Sequence, residues 1–522
     1  MKSLTGTLWT GLSATQIPAS NAGKQYKKVW MPLSAPFPTL TYDAATDRPR
    51  EECGVFGVRG AERAAVLTAF GLQALQHRGQ EACGVTSFDN GRFHSERHLG
   101  LVADNFTDPA RLDALAGNIA IGHVRYSTQG APVLRNVQPL YADVRGGGLA
   151  IAHNGNLTNS RLLREELVSA GAIFQSTSDT EVILQLAAKS RKTKAADRLL
   201  DALKQIEGAF ALVALSNDKM VGARDPLGIR PLVMGELEGA IILSSETCAL
   251  DMIGARLIRE VEPGEAVIIS ETGIQSVRYA PKTNPRPCAF EYIYFARPDS
   301  VIAGRSVYDT RKRMGRRLAE ETPADIDVVV PVPDSGIAAA IGYAETIGKP
   351  FDLGIIRSHF VGRTFIQPTQ AKRDLGVKRK HAANAAVLKG KRVLLIDDSI
   401  VRGTTSKKIV RMVREAGAKE VHFRSACPPI THPDFYGIDM PMREELMAAA
   451  HEPEKMRAML ECDSLGFLSV EGLYWAVCNA PRDPEKPQLA DHYFTGEYPT
   501  RLADFERAVS AKDQQLSLLV DA

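Results

Sequence analysis

The sequence predicts two successive domains of different fold class. Residues 53–285 are predicted to form an α+β domain of layered, mostly antiparallel sheets, and residues 286–505 an α/β domain with a parallel sheet. The first observation behind this prediction is the length of 522 residues, several times that of a typical domain. The second is a change of pattern near Cys288, from short β runs between turns to strands that alternate with helices.

Short apolar runs predict the strands of the first domain, and amphipathic patterns predict two of its helices. The strands are expected at Gly54–Val58, Leu149–Ala152, Ala209–Ser216 and Ala240–Ser244. The helices are expected at Leu162–Ala170, after the polar pair Asn159-Ser160, and at Asp179–Ala188.

In the second domain, apolar strands are each followed by a helical pattern. Val328–Val332 precedes Ile337–Ile347, and Val393–Ile396 precedes Thr405–Ala416. Such alternation is typical of a parallel sheet with helices on both faces. A C-terminal tail is expected over residues 506–522.

Composition limits the classes of partner. Apolar residues make up 44% of the chain and charged residues 24%, and no stretch approaches the roughly 20 apolar residues of a membrane span. Lys and Arg number 64 against 61 Asp and Glu, so there is no strong basic field for nucleic acid. Seven scattered cysteines lack the spacing of a disulfide framework. We expect a cytoplasmic protein without nucleic-acid or membrane partners.

The clearest motif is the stretch from Arg392 to Thr405. A buried strand is predicted to end in two carboxylates, Asp397 and Asp398, at the sheet edge where open α/β folds bind ligands. These carboxylates suit ribose hydroxyls and a hard cation such as Mg²⁺. The loop that follows can present backbone N–H groups and hydroxyls to a phosphate, and its residues are Arg402, Gly403, Thr404 and Thr405.

This stretch resembles the signature with which type I phosphoribosyltransferases bind phosphoribosyl pyrophosphate (PRPP). By that resemblance, the turn after Val328–Val332 would receive the pyrophosphate end, with Asp334 and Ser335 positioning pyrophosphate and metal. The implied metal ligands are Ser335, Asp397 and Asp398. The basic run Lys372–Lys380 predicts a loop that closes over the substrate.

Cys53 directly precedes an apolar strand, a position where cysteines are often core residues. Polar clusters follow at the ends of other apolar segments: Leu75–Gln80, His123–Thr128, His153–Leu157, Ser178–Glu181, Arg224–Pro231 and Ser244–Glu246. Together with Cys53 they resemble the glutaminase domain of N-terminal-nucleophile amidotransferases. The resemblance implies an αββα layered sandwich for the first domain, followed by a type I phosphoribosyltransferase domain.

The same resemblance assigns roles to the cluster residues. Cys53 would attack the glutamine side-chain amide, with its own α-amino group as general base. The Asn154 side chain and the Gly155 backbone N–H would form the oxyanion hole.

Three further residues would bind the amino-acid end of glutamine. Arg125 would hold the α-carboxylate in a bidentate pair, and Asp179 would accept from the α-ammonium group. Thr128 would add a contact. His77 and His123 receive no catalytic role.

An amino-terminal nucleophile needs a free α-amino group, so the role of Cys53 predicts a mature N-terminus at that residue. Residues 1–52 are accordingly expected to be a propeptide or a disordered extension, removed or never translated, with Met31 as another possible start. The acidic Arg50-Glu-Glu52 resembles the end of propeptides in a subset of the family.

The order of the two domains matches that of amidophosphoribosyltransferases over nearly all of residues 53–505. The implied reaction converts glutamine, PRPP and water into 5-phosphoribosylamine, pyrophosphate and glutamate, the first committed step of de novo purine synthesis. Feedback by purine nucleotides and a homotetramer are implied as well. Some members hold a [4Fe–4S] cluster with four cysteines. Here Cys288 matches one ligand, Asp434 stands at a second and Pro487–Tyr493 has no cysteine, so no Fe–S cluster is expected.

Two other functions compete with this interpretation. A phosphoribosyltransferase acting on a free base would have a vestigial glutaminase domain, and would not need Cys53, Arg125, Asn154 and Asp179 to be intact. A regulatory protein that senses PRPP or a nucleotide would bind its ligand without consuming glutamine.

Overall fold

Two antiparallel sheets face each other in the first half of the chain. The computed structural model describes residues 53–126, 133–357 and 381–506. The strands of this half, in chain order, are β1 (Gly54–Arg59), β2 (Ala82–Asp89), β3 (Arg92–Leu99), β4 (Ile119–Arg125), β5 (Leu140–Val144), β6 (Gly147–Leu157), β7 (Gly208–Ser216), β8 (Lys219–Arg224), β9 (Val233–Leu237), β10 (Ala240–Ser244), β11 (Arg256–Glu260), β12 (Glu265–Ser270) and β13 (Gly273–Arg278).

Strand pairing divides these elements into a seven-stranded sheet, ordered β11-β9-β10-β1-β4-β2-β3, and a six-stranded sheet, ordered β13-β12-β8-β7-β6-β5. Helices and short 3₁₀ turns complete the half: α1 (Ala64–Ala74), the turn Gln76–Arg78, α2 (Val102–Asn105), α3 (Pro109–Ala114), the turn Leu134–Asn136, α4 (Ser160–Ser169), α5 (Thr180–Lys189), α6 (Ala195–Leu203) and α7 (Thr247–Ile253).

Apolar clusters fill the three spaces between four layers. Side chains from both sheets, including Val55, Ile121 and Val213, form the central cluster. Helices α1 and α7 cover the outer face of the seven-stranded sheet, and α5 and α6 cover the six-stranded sheet. Because each fully buried Val, Leu, Ile or Phe contributes about 1.5–3 kcal/mol, the layers hold together through these faces. The predicted αββα sandwich is confirmed.

The second half is built around a parallel sheet. Its elements are a π-helical turn (Glu291–Phe295), β14 (Val301–Ile302), β15 (Arg305–Ser306), α8 (Val307–Glu321), β16 (Val328–Pro331), α9 (Ile337–Ile347), β17 (Ile355–Arg357), β18 (His381–Ala383), α10 (Ala385–Leu388), β19 (Arg392–Asp397), α11 (Thr404–Glu415), β20 (Glu420–Ser425), a 3₁₀ turn (Arg443–Glu445), α12 (Met447–Ala450), α13 (Pro453–Leu460), β21 (Ser464–Phe467), α14 (Val470–Cys478) and α15 (His492–Thr495).

Strands β16, β19, β20 and β21 form this sheet in that order, with all three pairs parallel. Apolar residues on both faces of β16 and β19 are buried, as a sheet covered on both sides requires. The predicted α/β class is confirmed. Two short antiparallel pairs, β14 with β15 and β17 with β18, lie outside the sheet.

The predicted elements are present, and β6 departs most from its predicted bounds. Strand β6 runs to Leu157, five residues beyond the predicted end at Ala152, because polar residues from His153 onward continue the ladder with β7. The predicted domain boundary between residues 285 and 286 stays a prediction. The two halves share apolar packing near it, because the cluster around Phe290 and Tyr436 also includes Ala209 and Ile229 from the first half.

No helix within the described ranges is long and apolar enough to cross a membrane. Thr128 and the basic run at 372–380 lie outside the described residues, as do residues 1–52 and 507–522.

Candidate active site

Cys53 directly precedes β1, a central strand of the seven-stranded sheet. Strand β1 pairs with β10 on one side and with β4 on the other, so the residue before it is held deep in the fold. Cys53 is buried, and its Sγ donates a hydrogen bond to the carbonyl of Tyr126 at 3.3 Å. One cleft is lined by Cys53 together with Arg125, Tyr126, Gln138, His153, Gly155, Ser178 and Asp179.

The electrostatic surroundings keep the Cys53 thiol protonated at neutral pH. Burial raises its pKa to about 11, and the opposing effects of the Arg125 charge and of a backbone hydrogen bond with Tyr126 are smaller. A thiol in this state is a weak nucleophile until a nearby base removes its proton. The site therefore needs a general base within reach of Sγ.

Asn154 and Gly155 lie on β6, in the sheet that faces the one containing β1. Neither Nδ2 nor Oδ1 of the buried Asn154 amide has a hydrogen-bond partner among the described residues. Gly155 adopts φ +131°, and a Cβ there would lie 2.1 Å from the Ala209 carbonyl oxygen, so only glycine fits. A buried amide without a partner is costly unless a ligand completes it.

Arg125 and Asp179 supply opposite charges to the same cleft. The Arg125 guanidinium is buried and donates to the carbonyl of Asn136, and burial lowers its pKa. Asp179 lies at the start of α5, where its Oδ2 accepts from the backbone N–H of Leu157 at 3.1 Å. A cation and an anion in one cleft match the two charges of an α-amino acid. Of the predicted glutamine-binding residues, only Thr128 lies outside the described ranges.

The polar turns of the second half meet at the carboxyl ends of two adjacent strands. Strands β16 and β19 pair in parallel with Pro331 opposite Ile396, and the Val332 N–H donates to the Ile396 carbonyl at 2.8 Å. The turn holding Asp334 and the turn that begins at Asp397 therefore leave the sheet side by side. This is the edge at which open parallel sheets bind their ligands.

Two polar atoms at this edge are buried without a partner among the described residues: Oδ2 of Asp398 and Oγ of Ser335. The other oxygen of Asp398 accepts from the Ser399 hydroxyl. Asp397 is also buried, and its Oδ1 accepts from the Asp398 N–H at 3.0 Å. Carboxylate and hydroxyl oxygens are the ligands that Mg²⁺ prefers, and the ion usually takes its remaining ligands from water and substrate phosphates. The residues at this edge fit a magnesium ion bound together with a phosphorylated substrate.

The loop after the two carboxylates leads into the N-terminus of α11. Gly403 precedes this helix with φ +76°, and the first helical residues, Thr404 and Thr405, follow it directly. Unpaired N–H groups at a helix N-terminus attract phosphate. The Arg402 side chain forms an ion pair with Glu445.

Comparison with known proteins covers both halves of the chain. The family model described as a glutamine amidotransferase domain matches residues 123–252, and the one described as a phosphoribosyl transferase domain matches residues 305–431. The amidophosphoribosyltransferase of Rhizobium etli is 58% identical over 464 residues, which are 88% of this chain and 94% of that protein. The chain belongs to the amidophosphoribosyltransferase family. It is accordingly a glutamine-dependent pentosyltransferase.

Other amidophosphoribosyltransferases support the same assignment. That of Bacillus subtilis is 47% identical over 453 residues, 87% of this chain and 95% of that protein. A solved structure of the B. subtilis glutamine PRPP amidotransferase, in complex with ADP and GMP, superposes with a TM-score of 0.82 at 46% identity, covering 86% of this chain and 98% of that one.

The residues at the family's iron–sulfur position do not fit such a cluster. The structure brings Cys288, Asp434, His492 and Tyr493 together, all buried. The Cys288 thiol and the Tyr493 hydroxyl are 3.1 Å apart, and His492 Nε2 is 2.8 Å from Asp434 Oδ1. Burial raises the pKa of Cys288 to about 11, whereas cluster ligands are thiolates. One thiol, already hydrogen-bonded, cannot replace four.

Two residues at these sites were not predicted from the sequence. Gln138 accepts from the His153 N–H at 2.7 Å and lines the cleft, but no local pattern marks it. Arg357, at the end of β17, pairs with Asp334 at the expected pyrophosphate turn. Only the fold brings these partners together, because 23 residues separate Arg357 from Asp334 and 15 separate Gln138 from His153.

Proposed function

We propose that this chain converts glutamine, PRPP and water into 5-phosphoribosylamine, pyrophosphate and glutamate, the first committed step of de novo purine synthesis. The observation that carries the proposal is the cleft in which Cys53, Arg125, Gly155 and Asp179 meet. Such a cleft would be of no use to a phosphoribosyltransferase that acts on a free base, or to a protein that only senses nucleotides.

In the glutamine half-reaction, Cys53 Sγ attacks the side-chain carbonyl carbon of glutamine. The α-amino group of Cys53 accepts the thiol proton and returns it to the departing nitrogen, so that ammonia leaves and a thioester remains. Water then hydrolyses the thioester to glutamate and restores the thiol. The oxyanion formed in each step is held by the Asn154 amide and the Gly155 N–H.

Substrate orientation follows from the two charges of the cleft. Arg125 binds the α-carboxylate of glutamine and Asp179 its α-ammonium group, with Thr128 as a further contact. This scheme requires a free amino group on Cys53 and so a chain from which residues 1–52 are absent. The mass of the active protein tests that requirement, because full activity in a chain that still carries Met1 would contradict it.

In the second half-reaction, ammonia attacks the anomeric carbon of PRPP and pyrophosphate departs. Asp397 and Asp398 bind the ribose hydroxyls, while the N–H groups and hydroxyls of residues 402–405 bind the 5′-phosphate. Asp334 and Ser335 face the pyrophosphate. Mg²⁺, held by Ser335, Asp397 and Asp398, would supply positive charge toward the leaving group. The basic loop at 372–380 closes over the substrate and excludes water.

Regulation and assembly extend the proposal. The B. subtilis structure is a complex with ADP and GMP, and a second similar solved structure is described as the allosteric regulatory enzyme of purine biosynthesis. Feedback by purine nucleotides on a cytoplasmic homotetramer is the corresponding proposal for this chain. Nucleic acid and membrane are not among the proposed partners.

The test is release of glutamate and pyrophosphate from glutamine and PRPP by the purified protein with Mg²⁺. Equal amounts of both products are expected. Pyrophosphate release with ammonium salts but not with glutamine would show that the Cys53 site is blocked or inert. Turnover with neither nitrogen source would contradict the proposal and favour a sensing protein.

A further inference from the structure

A buried guanidinium lies directly against the nucleophile residue. Arg78, in the turn Gln76–Arg78, is 1% exposed, and its Nε donates to the carbonyl oxygen of Cys53 at 3.2 Å. A cation so far from water is stable only when its charge is compensated and its N–H groups are bonded.

Two buried carboxylates compensate Arg78, one from each half of the chain. Glu246, at the start of α7, accepts from Nη1 at 2.6 Å. Glu291, at the start of the π-helical turn, accepts from Nη1 at 3.0 Å and from Nη2 at 2.7 Å. Although burial disfavours its charge, His77 and Arg78 hold the pKa of Glu246 well below its usual range. The guanidinium is thus fixed as a bidentate donor to Glu291 while it reaches the Cys53 carbonyl.

This contact matters because of where Cys53 lies in the proposed mature chain. The argument rests on the proposed function, in which Cys53 is the first residue and supplies its own base. Terminal residues are poorly ordered unless they are tied down. A fixed carbonyl fixes the peptide plane that ends at Cα of Cys53, the atom that carries both the α-amino group and the thiol side chain. Misplacement by about 1 Å can cost on the order of 100-fold in rate.

The turn that carries Glu291 is itself held from the side of the second site. Arg311 on α8 donates to the carbonyl of Tyr292 at 2.8 Å and to that of Ala296 at 2.9 Å, at both ends of the turn. Burial lowers the pKa of Arg311 to about 10, and the negative charge of Asp398 opposes that shift. Hydrogen bonds therefore continue from the Cys53 carbonyl, through Arg78 and the turn that carries Glu291, to Arg311 on α8.

We infer that Arg78 is a positioning residue for the glutamine reaction, and that Glu291 of the second half completes the glutamine site by holding Arg78 in place. The first half of the chain supplies the nucleophile and its ligand-binding residues. The second half supplies a carboxylate that holds Arg78 and, through Arg78, the peptide of Cys53.

The test compares Glu291→Gln and Arg78→Lys with the unsubstituted protein. Gln keeps the shape of Glu but loses the charge, and Lys keeps the charge of Arg but cannot bond Cys53 and Glu291 together. Each variant should lose about 10- to 100-fold in kcat with glutamine, with the KM for glutamine within about twofold because Arg125 and Asp179 are untouched. Synthesis from ammonium salts should stay within about twofold.

Glu236→Gln is the matched control. Glu236 pairs with exposed Arg256 in the seven-stranded sheet, and its loss should change neither the glutamine nor the ammonia reaction. A Glu291→Gln variant with unchanged glutamine kcat would overturn the inference. A parallel loss of the ammonia reaction would overturn it too, because it would show a merely structural role. If Arg78→Lys fails to fold, Glu291→Gln decides alone. An unsubstituted protein whose N-terminus is Cys53 and which uses ammonia but not glutamine would instead refute the proposed glutamine reaction, and this inference with it.

Discussion

The Asn154 side chain is expected to lower the stability of the fold while it serves the glutamine reaction. Its amide is fully buried, and neither of its polar atoms has a partner among the described residues. Leaving such a group unsatisfied costs about 1–3 kcal/mol. The proposed role explains why such an amide is retained: its N–H would donate to the oxyanion that forms during the glutamine reaction.

Replacing Asn154 with Ala should therefore separate the two properties. The glutamine-dependent kcat should fall by about 100- to 1000-fold, as expected for the loss of one oxyanion donor. The ammonia reaction should be unchanged, and the free energy of unfolding should not decrease by more than about 1 kcal/mol because an unsatisfied amide is removed. Paired kinetic assays and urea unfolding measure both quantities. A variant that is strongly destabilised would show that the amide has partners.

The pH dependence of the glutamine reaction distinguishes the two groups that could titrate at Cys53. The thiol, with a pKa raised to about 11, stays protonated through the neutral range. The α-amino group, with a reference pKa of about 7.7–8.0, must be unprotonated to act as base. kcat/KM for glutamine at saturating PRPP should rise about tenfold per pH unit below that value and level off above it. A rate still rising at pH 10 would indicate that the thiol itself controls the reaction.

Among the elements, α4 is capped by a residue that is distant in sequence. Asp504 accepts from the N–H groups of Arg161 and Leu162 at 2.8 and 2.9 Å, and its own N–H donates to Thr158. Helix N-termini need such acceptors. The C-terminal part of the chain thus stabilises a helix of the first half.

Asp504→Ala should lower the free energy of unfolding by about 1 kcal/mol, the usual cost of a lost N-cap. Glu506→Ala is the control, since the side chain of Glu506 pairs with exposed Arg501 and its loss should change stability by less than about 0.5 kcal/mol. Denaturant unfolding of the three proteins measures the difference. Equal stability of Asp504→Ala and the unsubstituted chain would contradict the capping role.

The turn that begins at Asp434 packs against β6 of the first half, a contact that the sequence does not predict. Its carboxylate accepts from the N–H groups of Tyr436 and Ile438, and the Phe435 carbonyl accepts from Asn156 Nδ2 at 2.9 Å. A Cβ on Gly437 would lie 3.1 Å from the Gly155 carbonyl carbon. The position at which the sequence comparison expected an iron ligand here shapes a turn against Gly155, a residue of the proposed oxyanion hole.

We therefore expect the purified protein to contain no iron and to lack the visible absorption of an iron–sulfur cluster. Cys288→Ser should keep both the glutamine and the ammonia activities within about twofold, because a hydroxyl can still bond to Tyr493. Metal analysis and the two assays test this. Stoichiometric iron in the purified protein would show that the side chains around Cys288 rearrange to bind metal. Loss of both iron and activity in Cys288→Ser would show the same.

At the scale of the whole molecule, most of the fold followed from hydrophobic pattern. Strand β10 and helix α9 were predicted to the residue, because apolar runs with clear turn signals leave few alternatives. The end of β6 was missed because its site residues are polar, and function there overrides the usual pattern. The cluster Leu75–Gln80 was recognised in the sequence, but the role of Arg78 within it was not predicted. Neither was Arg357, since both residues depend on partners that only folding brings near.

Coupling between the two sites is the prediction that belongs to the complete chain. The loop expected to close over PRPP would also exclude water from the path of ammonia, so glutamine hydrolysis should be weak without PRPP. Couplings of this kind are about 5- to 150-fold, and we expect at least a tenfold rise in glutamate release when PRPP and Mg²⁺ are added. Equal hydrolysis with and without PRPP would contradict the coupling.

The burial of the cysteines has a practical consequence for chemical labelling. All seven are unpaired, and burial raises the pKa of each thiol. General alkylating reagents, which need thiolate, should therefore react slowly along the whole chain. A glutamine analogue with an electrophilic side chain should bind to Arg125 and Asp179 next to Cys53, the thiol for which the proposed mechanism supplies an α-amino group as base. Such a compound should label Cys53 selectively and count the active sites in a preparation.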